Sequence, residues 1–384
     1  MTMQPDHDKY RLIKPSPLRI VIAGGGTGGH LFPGIAIAKE FMDRNPDSRM
    51  LFVGTGKPLE VSVLSKIGFK FKKITAEGIK GRGSLKQILS LAKIPRGMIE
   101  SVRILKRFRP NLVIGVGGYA AGPLAMGAWL LGVPIALHEQ NILPGITNRV
   151  LARFADRVFV SFDNTRLSID MQKIRVTGNP VRAEILTDNR IQKKTAAKDT
   201  NSDRPFTVLI VGGSQGAHGL NLAMVQAVAL LKEKGDFFFI HQTGPQDETM
   251  VNEAYQRHGM AARVKSFFDD MARQYQSADL VICRAGATTV AEITAIGKGA
   301  LFVPFPHAAD DHQVLNARSL VNAGAAEMIL EQELSAKILV DRITFYASNP
   351  QELDQMAFRA AGLGRPHAAA AIVDECYRLV DMVN

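Results

Sequence analysis

Two segments with the same pattern, one near the start of the chain and one near its middle, constrain the fold most. IVIAGGGTGGHL, which ends at Leu31, and LIVGGSQGAHGL, which ends at Leu220, each combine an aliphatic strand, a glycine turn and a histidine at the next helix start. Turns of this kind open Rossmann-type α/β units, whose ligands bind at the carboxyl ends of the strands. The repetition therefore predicts two Rossmann-like domains that face each other across a cleft.

Aliphatic runs alternate with helical patterns in both halves, which is typical of parallel sheets covered by helices. The predicted strands of the first half are Arg19–Ala23, Met50–Gly54, Lys70–Thr75, Leu112–Val116, Pro134–His138, Val158–Ser161 and Ile174–Thr177. Those of the second half are Val208–Val211, Phe237–His241, Val264–Phe267, Leu280–Cys283 and Leu301–Pro304. The clearest helical patterns are His30–Arg44, Leu59–Ile67, Leu85–Phe108 and Ile146–Phe154. The fold class is α/β.

Domain boundaries follow from breaks in this alternation. We predict a flexible leader at 1–16, a first domain at 17–178, a linker with a polar insertion at 179–204 and a second domain at 205–364. The chain of 384 residues is long enough for two such domains. The uncharged run 111–137 could pass for a membrane span, but glycines and prolines interrupt it every few residues, which favours a strand, a loop and a short helix. Two cysteines outside any metal-binding spacing suggest a reducing compartment such as the cytoplasm.

A net charge of +11 favours an acidic binding partner. Lysines and arginines dominate the stretch 70–109, where Glu77 and Glu100 alone oppose them, and aliphatic side chains alternate with the basic ones. Such a segment suits anionic lipid, although an ordinary core helix with a solvated basic face has the same pattern. Nucleic acid is disfavoured, because few aromatic side chains are present to stack on bases.

The glycine turns carry the first candidate chemistry. Residues 24–30 follow a strand, but the next strand lacks the acidic residue that holds a dinucleotide ribose, so a phosphate-binding turn is favoured over a nicotinamide site. His30 at the helix start would stay neutral, since the positive end of the helix dipole disfavours imidazolium; it is either a base or a loop-capping residue. Gly117 and Gly118 open a second phosphate-binding loop. The polar run 138–141, HEQN, predicts substrate contacts.

Two further motifs lie in the second half. RAGATTVAE, residues 284–292, forms a glycine turn into a helix, in which Glu292 either accepts the hydroxyls of a ribose or completes a capping box. Residues 307–313 resemble a metal cluster, but no third histidine or cysteine ligand lies nearby. Hydrogen bonds to sugar hydroxyls explain that run equally well.

In this order the motifs resemble the MurG family, the undecaprenyl-diphospho-muramoyl-pentapeptide β-N-acetylglucosaminyltransferases of glycosyltransferase family 28. The blocks that carry the resemblance are GGGTGGH, GGYAAGP, HEQN, GNPVR, GGSQGAHGLN, CRAGATTVAEI and PFPHAADDHQVLNA. The resemblance implies a GT-B fold and inverting transfer of N-acetylglucosamine from UDP-N-acetylglucosamine to the 4-hydroxyl of the muramoyl sugar of lipid I, which forms lipid II in peptidoglycan synthesis. A helix at about 365–384 is expected to pack back on the first domain.

The resemblance also assigns roles to residues. His30 becomes the candidate base, with no metal and no cofactor required. The implied donor-binding residues are Thr27, Gly28, Gly29, Asn141, Arg182, Ser214, Phe268, Ala287, Thr288, Thr289, Val290, Ala291, Glu292 and Gln313. The implied site for the acceptor diphosphate consists of Gly25, Gly26, Gly117, Gly118 and Tyr119.

The implied partners are UDP-N-acetylglucosamine, lipid I, an anionic membrane surface and other cell-wall synthesis proteins, but no nucleic acid. The implied location is peripheral, on the cytoplasmic face of the plasma membrane. One alternative is an enzyme like the UDP-N-acetylglucosamine 2-epimerases, which would leave the basic aliphatic segment unexplained. Another is a basic membrane-binding or RNA-binding protein with a vestigial nucleotide cleft.

Overall fold

A computed structural model of the chain describes residues 15–77, 84–186, 204–213, 215–306, 308 and 311–383. It contains a seven-stranded sheet and a six-stranded sheet, each entirely parallel. The strands of the first sheet are β1 (Arg19–Ala23), β2 (Arg49–Gly54), β3 (Lys70–Lys73), β4 (Leu112–Gly115), β5 (Ile135–Glu139), β6 (Arg157–Val160) and β7 (Ile174–Val176). Those of the second are β8 (Phe206–Val211), β9 (Phe237–Gln242), β10 (Ala261–Lys265), β11 (Leu280–Cys283), β12 (Gly299–Phe302) and β13 (Glu327–Met328).

Helices connect the strands. In the first half they are α1 (Gly28–Arg44), α2 (Pro58–Ile67), α3 (Ser84–Phe108), α4 (Ala121–Leu130) and α5 (Ile146–Leu151). In the second half they are α6 (His218–Leu231), α7 (Glu248–Arg257), α8 (Met271–Ser277), α9 (Ala287–Ile296), α10 (His312–Asn322), α11 (Ala336–Ser348), α12 (Pro350–Leu363) and α13 (Ala368–Val383).

Both sheets have the Rossmann strand order. The first runs β3-β2-β1-β4-β5-β6-β7 and the second β10-β9-β8-β11-β12-β13. The order reverses between β1 and β4 in the first sheet, and between β8 and β11 in the second. Ligand crevices in open α/β sheets lie at such reversals, at the carboxyl ends of the strands. The α/β class and the paired parallel sheets expected from the sequence are thus confirmed.

The central strands are apolar because helices cover both of their faces. Ile20, Val21 and Ile22 of β1 are at most 1% exposed, and β11 is equally buried. At the sheet edges the sequence was a weaker guide. The predicted strand Val264–Phe267 lies instead at β10, whose side chains alternate in exposure, and β13 has two residues and no prediction covered it. Both are short outer strands, where the apolar signal is weak.

The C-terminal helix α13 lies on the first domain. Ile372, Val373 and Cys376 enter the same core as α1, and the rings of Phe41 and Tyr377 lie 5.6 Å apart. The chain therefore crosses between the two sheets once after β7 and again between α12 and α13. Among the residues whose positions are described, no helix combines the length and apolarity needed to cross a membrane.

Candidate active site

The two glycine loops of the first domain pack against each other at the reversal point. A Cβ atom on Gly24 would lie 2.3 Å from the carbonyl oxygen of Gly117, and one on Gly118 would lie 2.6 Å from that of Gly25. All four of these glycines have φ between +81° and +143°. Backbone contact this close admits only glycine. The structure thus brings together the loops assigned to the acceptor diphosphate, with half-exposed Tyr119 beside them.

Lys57 also reaches this loop pair, although sequence reasoning missed it. Its Nζ donates to the carbonyl of Gly26 at 3.3 Å. Glu60 holds the turn, since one carboxylate oxygen accepts from the backbone N–H groups of Gly56 and Lys57 at 2.7 and 3.1 Å. A lysine three residues after the end of β2, the strand next to β1, was the available signal.

His30 is the third residue of α1, and its Nδ1 lies 3.2 Å from Oε1 of Gln140. Burial lowers the pKa of the ring, with His312 acting in the same direction and Glu139 opposing it. The lowered pKa agrees with the neutral ring expected from the sequence. Desolvation is the largest cause, because burial removes the water that stabilises imidazolium.

The prediction that the HEQN run contacts substrate is wrong for three of its four side chains. His138, Glu139 and Gln140 are at most 2% exposed. They lie at the end of β5, which β4 and β6 flank on both sides. Polar side chains are tolerated there because they form hydrogen bonds with one another and with the backbone.

Glu139 organises the loop that carries Asn141. Its Oε1 accepts from the backbone N–H of Asn141 at 2.9 Å, and its Oε2 accepts from Nδ2 of Asn148 at 2.9 Å. Asn141 in turn accepts from Nδ2 of Asn316 on α10 at 3.1 Å, and Oδ1 of Asn316 accepts from the backbone of Ile142. Asn316 is fully buried and joins the two domains. Sequence reasoning did not single out Asn316, although it lies in the PFPHAADDHQVLNA block.

The N-terminus of α9 faces the first glycine loop. Gly286 precedes the helix, and no side-chain hydrogen bond caps it. Thr288 donates from Oγ1 to the carbonyl of Gly29 at 3.3 Å. That carbonyl has no i+4 hydrogen-bond donor within α1, because the residue four positions later is Pro33, which has no backbone N–H. A proline inside one helix thus provides the acceptor that joins the domains, beside Thr27, Gly28 and Gly29.

Glu292 is buried and binds Arg182. The guanidinium donates to Oε1 from Nε at 3.2 Å and from Nη2 at 2.8 Å, while the Tyr275 hydroxyl donates to Oε2 at 3.0 Å. The guanidinium also lies 4.8 Å from the ring centre of Phe32 on α1. Glu292 is the sixth residue of α9 and makes no cap, so the capping-box alternative is wrong.

The remaining predicted donor residues are spread around this pair. Ala287 and Val290 are buried, whereas Thr289 and Ala291 are partly exposed. Gln313 accepts from the backbone N–H of Phe305 at 2.9 Å. The Phe268 ring is buried in the core of the second domain, so this side chain does not line the cleft. The backbone N–H of Phe268 donates to Oε1 of Gln242 at 3.0 Å.

Some predicted residues lie outside the described ones, namely Ser214, His307 and Asp310. Within the described part of the chain, no three acidic, histidine or cysteine side chains form a metal-binding group. His218, the counterpart of His30, bonds through Nδ1 to Asp247 at 3.0 Å. The two halves therefore give their histidines different partners, an amide in the first domain and a carboxylate in the second.

Comparison with known proteins covers nearly the whole chain. The N-terminal and C-terminal domain models of glycosyltransferase family 28 match residues 20–160 and 207–372. A UDP-N-acetylglucosamine–N-acetylmuramyl-(pentapeptide) pyrophosphoryl-undecaprenol N-acetylglucosamine transferase of Syntrophus aciditrophicus is 48% identical over 94% of this chain and 99% of that protein.

Two solved structures are informative as well. Acinetobacter baumannii MurG is 32% identical, with a TM-score of 0.73 over 93% of this chain and 98% of that one. A UDP-N-acetylglucosamine 2-epimerase from Neisseria meningitidis, solved with UDP-N-acetylglucosamine, is 15% identical with a TM-score of 0.64, over 94% of this chain and 100% of that one. At that identity the likeness to the epimerase shows a shared fold alone.

Proposed function

This chain belongs to glycosyltransferase family 28, and from that membership we propose that it transfers N-acetylglucosamine from UDP-N-acetylglucosamine to the 4-hydroxyl of the muramoyl sugar of lipid I, forming lipid II with inversion at the anomeric carbon. The observation that carries the proposal is the contact between Thr288 and Gly29. It sets the open N-terminus of α9, a site for the donor, directly against the glycine loops that suit the acceptor diphosphate.

The donor half of the reaction uses the second domain. Glu292 accepts the ribose hydroxyls, and Gln313 contacts the donor sugar. The diphosphate lies at the N-terminus of α9, where backbone N–H groups and the helix dipole stabilise anions. As the bond between the anomeric carbon and the β-phosphate oxygen breaks, its electron pair stays on that oxygen. Arg182 and the helix N-terminus stabilise the growing charge on UDP.

The acceptor half uses the first domain. The paired loops around Gly25 and Gly118 bind the lipid diphosphate through backbone N–H groups, and Lys57 adds a positive charge there. The 4-hydroxyl attacks the anomeric carbon in line with the departing UDP and gives its proton to neutral His30. We propose that the transfer needs no metal, because the helix N-terminus, Arg182 and Lys57 already provide the positive charge. Chelation with EDTA should then leave turnover unchanged.

A membrane surface explains an apolar patch on the first domain. Trp129 and Leu130 of α4 and Ile146 and Val150 of α5 are 50–61% exposed, and the two helices are in contact. Exposed arginines 149 and 153 flank the patch. Apolar anchors beside cations favour anionic lipid. We propose that the protein binds peripherally to the cytoplasmic face of the plasma membrane through this patch, where it meets lipid I and other cell-wall synthesis proteins.

The decisive experiment measures UDP release from UDP-N-acetylglucosamine with and without a soluble lipid I analogue. Release that depends on the analogue, together with a disaccharide product, is expected. Formation of a C2 epimer without acceptor would favour the epimerase alternative instead. No binding of UDP by calorimetry would contradict both enzyme functions.

A further inference from the structure

The side chain of Gln140 lies between the two histidines of the first domain, and its orientation is determined. Its Nε2 lies 2.9 Å from the carbonyl oxygen of Val116. A carbonyl oxygen only accepts hydrogen bonds, so the NH2 group must face Val116. The reverse orientation would place two oxygens at that distance. Oε1 of Gln140 therefore faces His30, and Nδ1 of His30 must carry a proton to donate to it.

The Gln140 amide and the carbonyl oxygen of Gly178 together determine the state of His138. Nε2 of Gln140 lies 3.0 Å from Nδ1 of His138, which accepts from it, and 3.3 Å from the carbonyl oxygen of His138. Nε2 of His138 lies 3.3 Å from the carbonyl oxygen of Gly178, to which it donates. One ring nitrogen accepts and the other donates, so His138 is neutral. Burial agrees with this, because it lowers the pKa of His138 to about 4.

We propose that Gln140 and His138 are positioning residues that hold His30 as the Nδ1–H tautomer, so that Nε2 is the nitrogen that takes the acceptor proton. The inference rests on the proposed function, since it assigns the state of the candidate base. A histidine base needs its second nitrogen fixed by a partner, and a neutral amide does this here without the charge that a carboxylate would bring.

The neutral partner matters for the pKa of His30. The other groups that face the ring are Glu139, which raises the pKa, and His312, which lowers it. Gln140 and the Val116 carbonyl raise it through hydrogen bonds, yet burial outweighs them. A carboxylate in place of the amide would add a full negative charge at about 3 Å and favour imidazolium.

The far end of this hydrogen-bond chain is Gly178, the last residue of the first domain before the linker. Gly178 follows β7, adopts φ of +88° and packs against Arg365 of the second crossing. Arg365 also pairs with Asp163 at 3.0 Å. The state of the candidate base is thus anchored to the backbone at the point where the chain passes from one domain to the other.

The first test needs no substrate. In protein labelled with ¹⁵N-histidine at pH 8, the His30 signals, assigned by their loss in His30→Gln, should show a protonated Nδ1 and an unprotonated Nε2. In Gln140→Met the preference for Nδ1–H should weaken. A wild-type ring protonated on Nε2 would overturn the proposal. Because this measurement is made without transfer, it stands apart from any failure of the proposed function.

The second test uses turnover with the lipid I analogue. Gln140→Met should lower kcat about 10- to 100-fold, the range seen when a residue that orients a metal-ligand histidine is removed, while KM for UDP-N-acetylglucosamine stays within about twofold. Gln140→Glu should move the acidic limb of the kcat/KM profile to higher pH, which a purely structural role would not do. The control Gln274→Met removes an equally buried glutamine that accepts a hydrogen bond from Arg263. It should change neither kcat nor the pH of the acidic limb. An unshifted limb in Gln140→Glu with unchanged kcat in Gln140→Met would overturn the proposal.

Discussion

Arg182 and Glu292 join the linker to the second domain through an ion pair in which Nε and Nη2 of the guanidinium both donate to Oε1, the shorter bond at 2.8 Å. Phe32 of the first domain covers the guanidinium. The carboxylate proposed to hold the donor ribose is therefore already engaged before the donor arrives. Donor binding must share or displace Arg182, which then becomes free to meet the diphosphate. One pair thus connects donor binding to the interface between the domains.

Replacing Glu292 with alanine should weaken binding of UDP-N-acetylglucosamine about 10- to 100-fold. Hydrogen bonds to a charged group contribute about 1.5–3 kcal/mol, and the ribose would lose them. Titration calorimetry measures the change. Glu327→Gln alters a carboxylate that pairs with Arg342, outside the predicted donor residues, and serves as the control. If Glu292→Ala and the wild type bound UDP-N-acetylglucosamine with equal affinity, the proposed contact of Glu292 with the ribose would be wrong.

Replacing His30 with alanine should lower kcat about 100- to 10,000-fold, the usual contribution of a general base. The dissociation constant of the donor should hardly change, because the donor is proposed to lie on the second domain. Steady-state turnover and calorimetry together separate the two effects. A variant that keeps wild-type turnover would place the base elsewhere.

Gly118→Ala should abolish acceptor turnover and lower the melting temperature. Its Cβ would lie 2.6 Å from the Gly25 carbonyl oxygen, and its φ of +81° adds strain. Gly132→Ala is the matched control, with φ of +66° and open space around the new methyl group. It should cost only about 1 kcal/mol from its backbone conformation. Similar losses of turnover in both variants would show that strain alone, rather than the close approach of the loops, is responsible.

Trp129→Glu should reduce binding to vesicles that contain anionic phospholipid, because it puts a negative charge in the middle of an apolar patch. Donor affinity should remain at the wild-type value. Phe358 on α12 is 81% exposed, and Phe358→Glu makes the same kind of change outside the patch. Vesicle cosedimentation compares the variants. If Phe358→Glu reduced binding as much as Trp129→Glu, the patch would not be the membrane surface.

The free energy of unfolding should fall as the pH falls from 6.5 towards 4. Burial lowers the pKa of His138 to about 4 and that of His241 to about 3, so both rings stay neutral in the folded protein while the unfolded chain takes up protons below pH 6.5. Each histidine should therefore lower the free energy of unfolding by about 2 kcal/mol between pH 6.5 and pH 5, at about 1.4 kcal/mol per pH unit. Urea unfolding at pH 8, 6.5 and 5 measures the slope. Exposed His367→Asn should leave it unchanged, and a flat dependence would show that these rings are not buried in solution.

The glycine loops and the central strands were predictable because their causes are local. A strand at the middle of a covered sheet must be apolar along its whole length, and a turn that brings backbone against backbone must be glycine. The edge strand β10 was misplaced and β13 was missed, since the side chains of an exposed edge strand need not be apolar. The HEQN run was misread because polarity usually marks a surface, whereas these side chains satisfy one another inside the domain.

By itself the sequence determined the α/β class, the two Rossmann-like halves and the family, because repeated local patterns carry that information. Tertiary structure alone decided which groups meet. Asn141 bonds to Asn316 across 175 residues, and Thr288 finds the carbonyl that Pro33 leaves unused. The backbone oxygen of Val116 orients Gln140 and thereby fixes the proton on His30. These partners are mostly backbone atoms, which are the same in every residue, so only the folded chain determines which of them a side chain meets.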